Sequence, residues 1–225
     1  MRGISRMKKS YIWVIATYII MQFTNVIGAA FVFKSGLYGN TEHALILTKG
    51  NWSVVNMTIA VIVMFLLLRK EWSNKTIQYR KGQMPIWIWM IIGGLGAIVA
   101  QAIATLIEQK VFHVQVTSQN TQYIFSIIQA VPLYVVTSIV YAPIMEELVF
   151  RKVIYGTLAK KYNFFIAALL SSGLFALIHM EFTHFLVYLS MGLVFSFVYK
   201  MTDKILVPIT AHMIMNAIVF LTLIK

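Results

Sequence analysis

Cysteine is absent from this chain, which excludes a disulfide framework, a thiolate nucleophile and any Cys-ligated metal. Acid is nearly as scarce. Seven acidic residues stand against nineteen Lys and Arg, for a net charge of +12. Only one of the seven is an aspartate, Asp203, so a catalytic pair of aspartates is impossible. There is no G-x-S-G serine motif and no H-E-x-x-H zinc helix. Charged residues make up only 12% of the chain, hydrophobic residues 60%, and the mean hydropathy is +0.79, far outside the range of soluble domains. The excess positive charge does not point to nucleic acid as a partner. The basic residues form no patch interleaved with aromatics, as nucleic-acid binding requires, and cluster instead at the ends of apolar runs.

Those runs are the dominant feature. Tyr11–Phe33, Trp52–Leu68, Pro85–Ile107, Tyr123–Ala142, Phe164–Met180, Phe185–Tyr199 and Ile205–Ile224 each approach the ~20 residues that a helix needs to cross a bilayer. Backbone groups cannot go unsatisfied in lipid, so the expected fold class is all-α, a polytopic transmembrane bundle of 7–8 membrane helices. The opening MRGISRMKKS resembles the n-region of a signal peptide. The run behind it is longer than an h-region of roughly 7–15 residues and carries no small-residue cleavage pattern, so it reads as an uncleaved first span. Trp52, Trp72, Trp87 and Trp89 fall near span ends, as interfacial anchors do. Gly93, Gly94, Gly96 and Ala97 suit close helix packing. Sequons at Asn51, Asn56 and Asn74 are short enough to arise by chance.

Arg2, Arg6, Lys8 and Lys9 precede the first span, and Arg69, Lys70, Lys75, Arg80 and Lys81 follow the second. The connections between them carry only Lys34, Lys49 and Lys110. This predicts a cytoplasmic N-terminus in a multi-pass cell-membrane protein. Seven spans satisfy the charge rule best, but they separate Glu146 from His179 by about 25 Å. Eight segments, with Pro143 as a break and Pro143–Lys160 as a separate helix packed in a hairpin on Asn163–Met180, bring the two level near the cytoplasmic side. Pro suits the first turn of such a helix. The eight-segment reading moves Lys160, Lys161, Lys200 and Lys204 outside.

The polar residues of catalytic type lie in EELVFR (Glu146 to Arg151), FALIH (Phe175 to His179) and HMIMN (His212 to Asn216). An ionisable group in lipid costs roughly 2.5–3.5 kcal/mol even on mild scales, so each marks a candidate functional site. Glu147 and Arg151 are i and i+4 with the acid first, the favourable order for a pair. Glu146 and Glu147, adjacent but differently surrounded, are suited to divide acid and base roles, or alternatively to anchor a helix end as a salt-bridge cluster. His179 ends an apolar helix with Phe175 one turn earlier, where a satisfied core histidine is equally at home. His212 and Asn216 share one face of the last span, and could simply bond to neighbouring helices. Glu181 and His184 read as turn residues. Ser171 and Ser172 are expected to bond back to their own helix. Taken together, the residues describe peptide-bond hydrolysis. Glu146 deprotonates a water held between itself and His179, and His212 and Asn216 stabilise the tetrahedral oxyanion.

The three stretches resemble the EExxxR, FxxxH and HxxxN motifs of the CAAX protease and bacteriocin-processing family, also called the Abi family, over roughly Tyr123 to Phe220. That resemblance implies an intramembrane endopeptidase in which Glu146 and His179 activate water, His212 and Asn216 support the oxyanion, and Glu147 and Arg151 organise the site. It implies a peptide or membrane-associated protein as substrate, prenylated in eukaryotic relatives and linked to bacteriocin self-immunity or peptide maturation in bacterial ones. It divides the chain into 1–121, three spans without a motif, and 122–225, the catalytic helical core. No cofactor is favoured. The alternative is a zinc ion on Glu146, His179 and His212. Rival functions are a non-catalytic immunity or binding protein and a small transporter.

Overall fold

The structure, a computed structural model, describes residues 7–72, 84–115 and 118–224. Arg2, Arg6, Lys75, Arg80, Lys81, the sequon at Asn74 and the side chain of Trp72 lie outside the described residues. Among those described are eight helices: α1 (Lys9–Lys34), α2 (Glu42–Trp72), α3 (Ile86–Phe112), α4 (Gln119–Ala130), α5 (134–158), α6 (Phe164–Ile178), α7 (Phe185–Thr202) and α8 (Leu206–Leu223). Five helical stretches are long and apolar enough to cross a membrane, and α6 is a shorter apolar helix. The fold is therefore the expected polytopic helical bundle. One apolar core draws buried residues from α1, α2, α3, α5, α6, α7 and α8.

The expected Tyr123–Ala142 span is two elements. The chain breaks at Pro132, where Val131 leaves the helical region (φ −131°, ψ 85°), the α conformation being disfavoured before proline. Pro143 does not break a helix; α5 runs straight through it. The turn before it widens to π geometry over Thr137–Tyr141, with the Ala142 N–H bonded five residues back to the Thr137 carbonyl. In that register the next donor would be residue 143, and proline has no N–H to give. The Ser138 carbonyl is bonded instead by Asn216 Nδ2 from α8, at 2.9 Å.

Small residues set the helix spacing as expected. A Cβ on Gly93 would come within 2.8 Å of Ala211, and one on Gly94 within 2.8 Å of Ile214, so α3 lies directly on α8. Trp52 is not a span-end anchor. α2 begins ten residues earlier at Glu42, and the Trp52 indole donates to the Thr24 carbonyl at 2.8 Å. The serines of α6 also act between helices: Ser171 donates to the Phe150 carbonyl at 2.6 Å, and Ser172 meets Ser196 at 3.5 Å.

The bundle has two distinct ends. At one, Glu71 closes α2 onto the start of α1, accepting from Ser10 and Tyr11 and pairing with Lys8. The α5–α6 and α7–α8 turns share this end. Tyr155 packs on Phe164 and Tyr199, Lys200 lies over Phe164, and Tyr11 is within electrostatic reach of Asp203. At the other end Glu108 of α3 meets His184 and the start of α7, while Glu181 meets Ser118 and Asn120 at the start of α4. Because α4 has only twelve residues, it is too short to cross. Lys160, Lys161, Lys200 and Lys204 therefore stay at the Lys8 end, and the conflict between hairpin and charge rule disappears. His179 closes α6 toward the opposite end, and Glu146 lies midway along α5.

Candidate active site

The α5–α6 hairpin sets the depth of the first two motifs. Glu146 lies about 18 Å of helix back from the turn, and His179 about 22 Å forward of it. They meet across one cavity of about 350 Å³, whose lining includes Glu146, His179, His212 and Asn216. All four sequence-predicted catalytic residues thus come to one space from three helices. Glu147 and Arg151 sit behind it, fully buried.

His212 joins the two glutamates. Its Nδ1 lies 3.0 Å from Glu147 Oε1 and its Nε2 3.8 Å from Glu146 Oε2. An ionised carboxylate only accepts, so Nδ1 carries the proton and donates to Glu147. The ring is stacked on Phe195, centroids 4.7 Å apart at 22°, which leaves it one orientation. Behind Glu147, Arg151 Nε approaches Oε2 to 3.1 Å. The approach is out of line for a hydrogen bond, and Nη1 has no hydrogen-bond partner among the described residues. The guanidinium is steadied by Gly192, whose carbonyl accepts from Nη2 at 3.3 Å, and by the Phe175 ring, 4.5 Å away. Such stacking offsets part of the cost of burying the charge.

His179 is held differently. Its Nδ1 donates to the Phe175 carbonyl at 2.8 Å, and its ring lies flat on Tyr188, centroids 4.0 Å apart. That bond leaves the Nε2 lone pair for the cavity. Of the alternative zinc ligands, Glu146, His179 and His212 all line the cavity, but no group of three or more His, Cys, Asp or Glu that could hold a metal ion occurs among the described residues.

Sequence reasoning missed a second polar cluster. Glu108 is buried, 2% exposed. It accepts from His184 Nδ1 at 2.9 Å and from the Leu186 and Val187 N–H groups at 2.9 and 3.2 Å, capping α7 from a neighbouring helix. Glu181 accepts from Ser118 Oγ and Tyr188 Oη, both at 2.8 Å. Burial alone would raise its pKa, but bonds from Ser118, Tyr188 and the Asn120 backbone hold it below the ordinary carboxylate range. A signal for Glu108 existed. Gln101, Thr105 and Glu108 fall at i, i+4 and i+7 on an otherwise apolar helix, one face by spacing, and Gln101 and Thr105 line the cavity. Gln22 and Asn25 of α1 line it too.

With this geometry in view, likeness to known proteins is informative. The family described as type II CAAX prenyl endopeptidase Rce1-like matches residues 128–218. The protein named "Putative membrane peptidase YdiL" of Bacillus subtilis (strain 168) is 41% identical over 216 residues, 95% of this chain and 88% of that one. The membrane-embedded CAAX protease MroQ of Staphylococcus aureus (strain USA300) is 32% identical over 164 residues, 70% of this chain and 66% of that one. UPF0177 protein YxdF of Lactococcus lactis subsp. lactis (strain IL1403) is 30% identical over 169 residues, 71% of this chain and 89% of that one. No solved structure matches the chain significantly. The matched region contains all three motifs, and the longest match runs nearly end to end: the chain belongs to the Rce1-like CAAX endopeptidase family of membrane peptidases.

Proposed function

We propose that this protein is an intramembrane endopeptidase that hydrolyses a peptide bond of a peptide or membrane-associated protein with water activated by Glu146 and His179. The carrying observation is the single cavity lined by Glu146, His179, His212 and Asn216. Residues 122–225 carry the chemistry, residues 1–121 complete the cavity wall, and the N-terminus is cytoplasmic. Prenylated CAAX proteins are the substrate class that the matched family's description names, and signalling peptides and bacteriocins are the classes that the motif resemblance adds.

In this mechanism the water sits between the Glu146 carboxylate and the His179 Nε2 lone pair. Glu146 removes its proton as the hydroxyl oxygen attacks the scissile carbonyl. One proton shared between Glu146 and His212 Nε2 serves both sides of the step. Held on His212, it leaves Glu146 free as base and makes Nε2–H a donor to the developing oxyanion. Glu147 supports that imidazolium through Nδ1, and Arg151 balances Glu147. Asn216 spends one amide N–H on Ser138 and has a second to offer the oxyanion. Proton return from Glu146 to the leaving nitrogen completes hydrolysis.

The test is hydrolysis of a reporter peptide in proteoliposomes. Glu146→Gln keeps the shape and loses the base, so turnover should vanish while the protein stays folded. Full turnover by that variant would refute the proposal.

A further inference from the structure

We infer that the catalytic cavity opens on the non-cytoplasmic face of the membrane, so that its substrate is a peptide segment presented from outside the cytoplasm. This rests on the peptidase reading for the word substrate, though not for the direction of opening.

Two independent observations meet here. The first is where the cavity lies along the bundle. Its lining includes Ser118 and Asn120 at the start of α4, His184 at the start of α7, and Phe220 and Leu223 at the end of α8. All belong to the end where Glu108 and Glu181 brace the starts of α7 and α4. Residues of the Lys8–Glu71 end are absent from that lining. From Glu146, midway along α5, the cavity therefore extends away from the start of α1.

The second is the distribution of basic side chains over the same two ends. Among the described residues, Lys8, Lys9, Arg69, Lys70, Lys160, Lys161, Lys200 and Lys204 gather at the Glu71 end, joined by Lys152 within electrostatic reach of Glu71, with only Lys34, Lys49 and Lys110 toward the other. A division of nine to three, carried mostly by short connections, is the kind that sets orientation during insertion. It is the distribution that the seven-span reading of the sequence carries, and the twelve-residue α4 preserves it by adding no crossing. The basic end faces the cytoplasm, and the cavity mouth faces away from it. A chain segment entering there arrives by export or from a neighbouring span, and its backbone groups meet carboxamides, Asn25 and Gln101 among them, that offer both donor and acceptor.

The natural absence of cysteine makes the test direct. Phe182→Cys and Ser35→Cys place single thiols at the cavity end, and Tyr162→Cys places one at the basic end. Phe182 and Tyr162 are 64% and 47% exposed. Intact cells producing each full-length variant are treated with a membrane-impermeant maleimide, before and after permeabilisation. The inference predicts labelling of Phe182→Cys and Ser35→Cys in intact cells, and none of Tyr162→Cys until the membrane is opened. Labelling of Tyr162→Cys in intact cells, with the other two protected, overturns it. Because labelling requires no turnover, a failed peptidase reading would appear in the Glu146→Gln assay and leave this result untouched.

Discussion

Two buried glutamate–histidine pairs lie within one bundle, and their difference shows what separates a site from a brace. Glu147–His212 and Glu108–His184 have nearly equal Nδ1–oxygen distances, 3.0 and 2.9 Å. The other oxygen of Glu108 is occupied by two backbone N–H groups of α7, so that pair ends as a helix cap. The other oxygen of Glu147 faces Arg151, and the far nitrogen of His212 faces a second acid, Glu146. A proton has somewhere to go in the Glu147–His212 pair and nowhere in the Glu108–His184 pair.

The largest way to break the comparison is at Arg151. Arg151→Ala leaves Glu147 as a buried charge with only His212 against it, and should cost about 3–5 kcal/mol, read as a fall in thermal unfolding temperature in detergent. A smaller loss is expected at Asn216. Asn216→Ala strips from the Ser138 carbonyl the side-chain donor that stands in for the missing Pro143 N–H and should cost about 1–3 kcal/mol. Adding Pro143→Ala supplies a backbone N–H in its place. The double variant should recover part of that stability, whereas additive losses would remove the account of the π turn. The smallest effect is pH dependence at Glu181. Its folded pKa lies below the ordinary carboxylate value, so its stabilisation is complete above about pH 4.3 and drains as pH falls through the folded value. Protection factors against hydrogen exchange at the start of α4, corrected for the intrinsic pH dependence of exchange, should therefore fall on acidification below that point, and Glu181→Gln should abolish the fall.

The helical spacing of EELVFR, FALIH and HMIMN made their residues legible, because i and i+4 positions share a face whatever the surroundings. Other features depended on partners that spacing does not name. Pro143 reads as a break because the donor that rescues its orphaned carbonyl comes from Asn216, over seventy residues later. The run through Pro132 looks like one span because its length suffices, although the pre-proline turn at Val131 divides it. Glu108 reads as a lone acid on an apolar helix, because its partners, His184 and the Leu186 and Val187 N–H groups, lie more than seventy residues later in the chain.

The most direct test of the central contrast is a crossed measurement of turnover and unfolding temperature on Glu146→Gln and Glu108→Gln. Glu146→Gln should lose hydrolysis with its unfolding temperature unchanged, and Glu108→Gln should unfold earlier yet still turn over peptide at temperatures where it is folded. Turnover surviving in Glu146→Gln, or vanishing in a folded Glu108→Gln, would contradict the assignment of chemistry to the first cluster and bracing to the second.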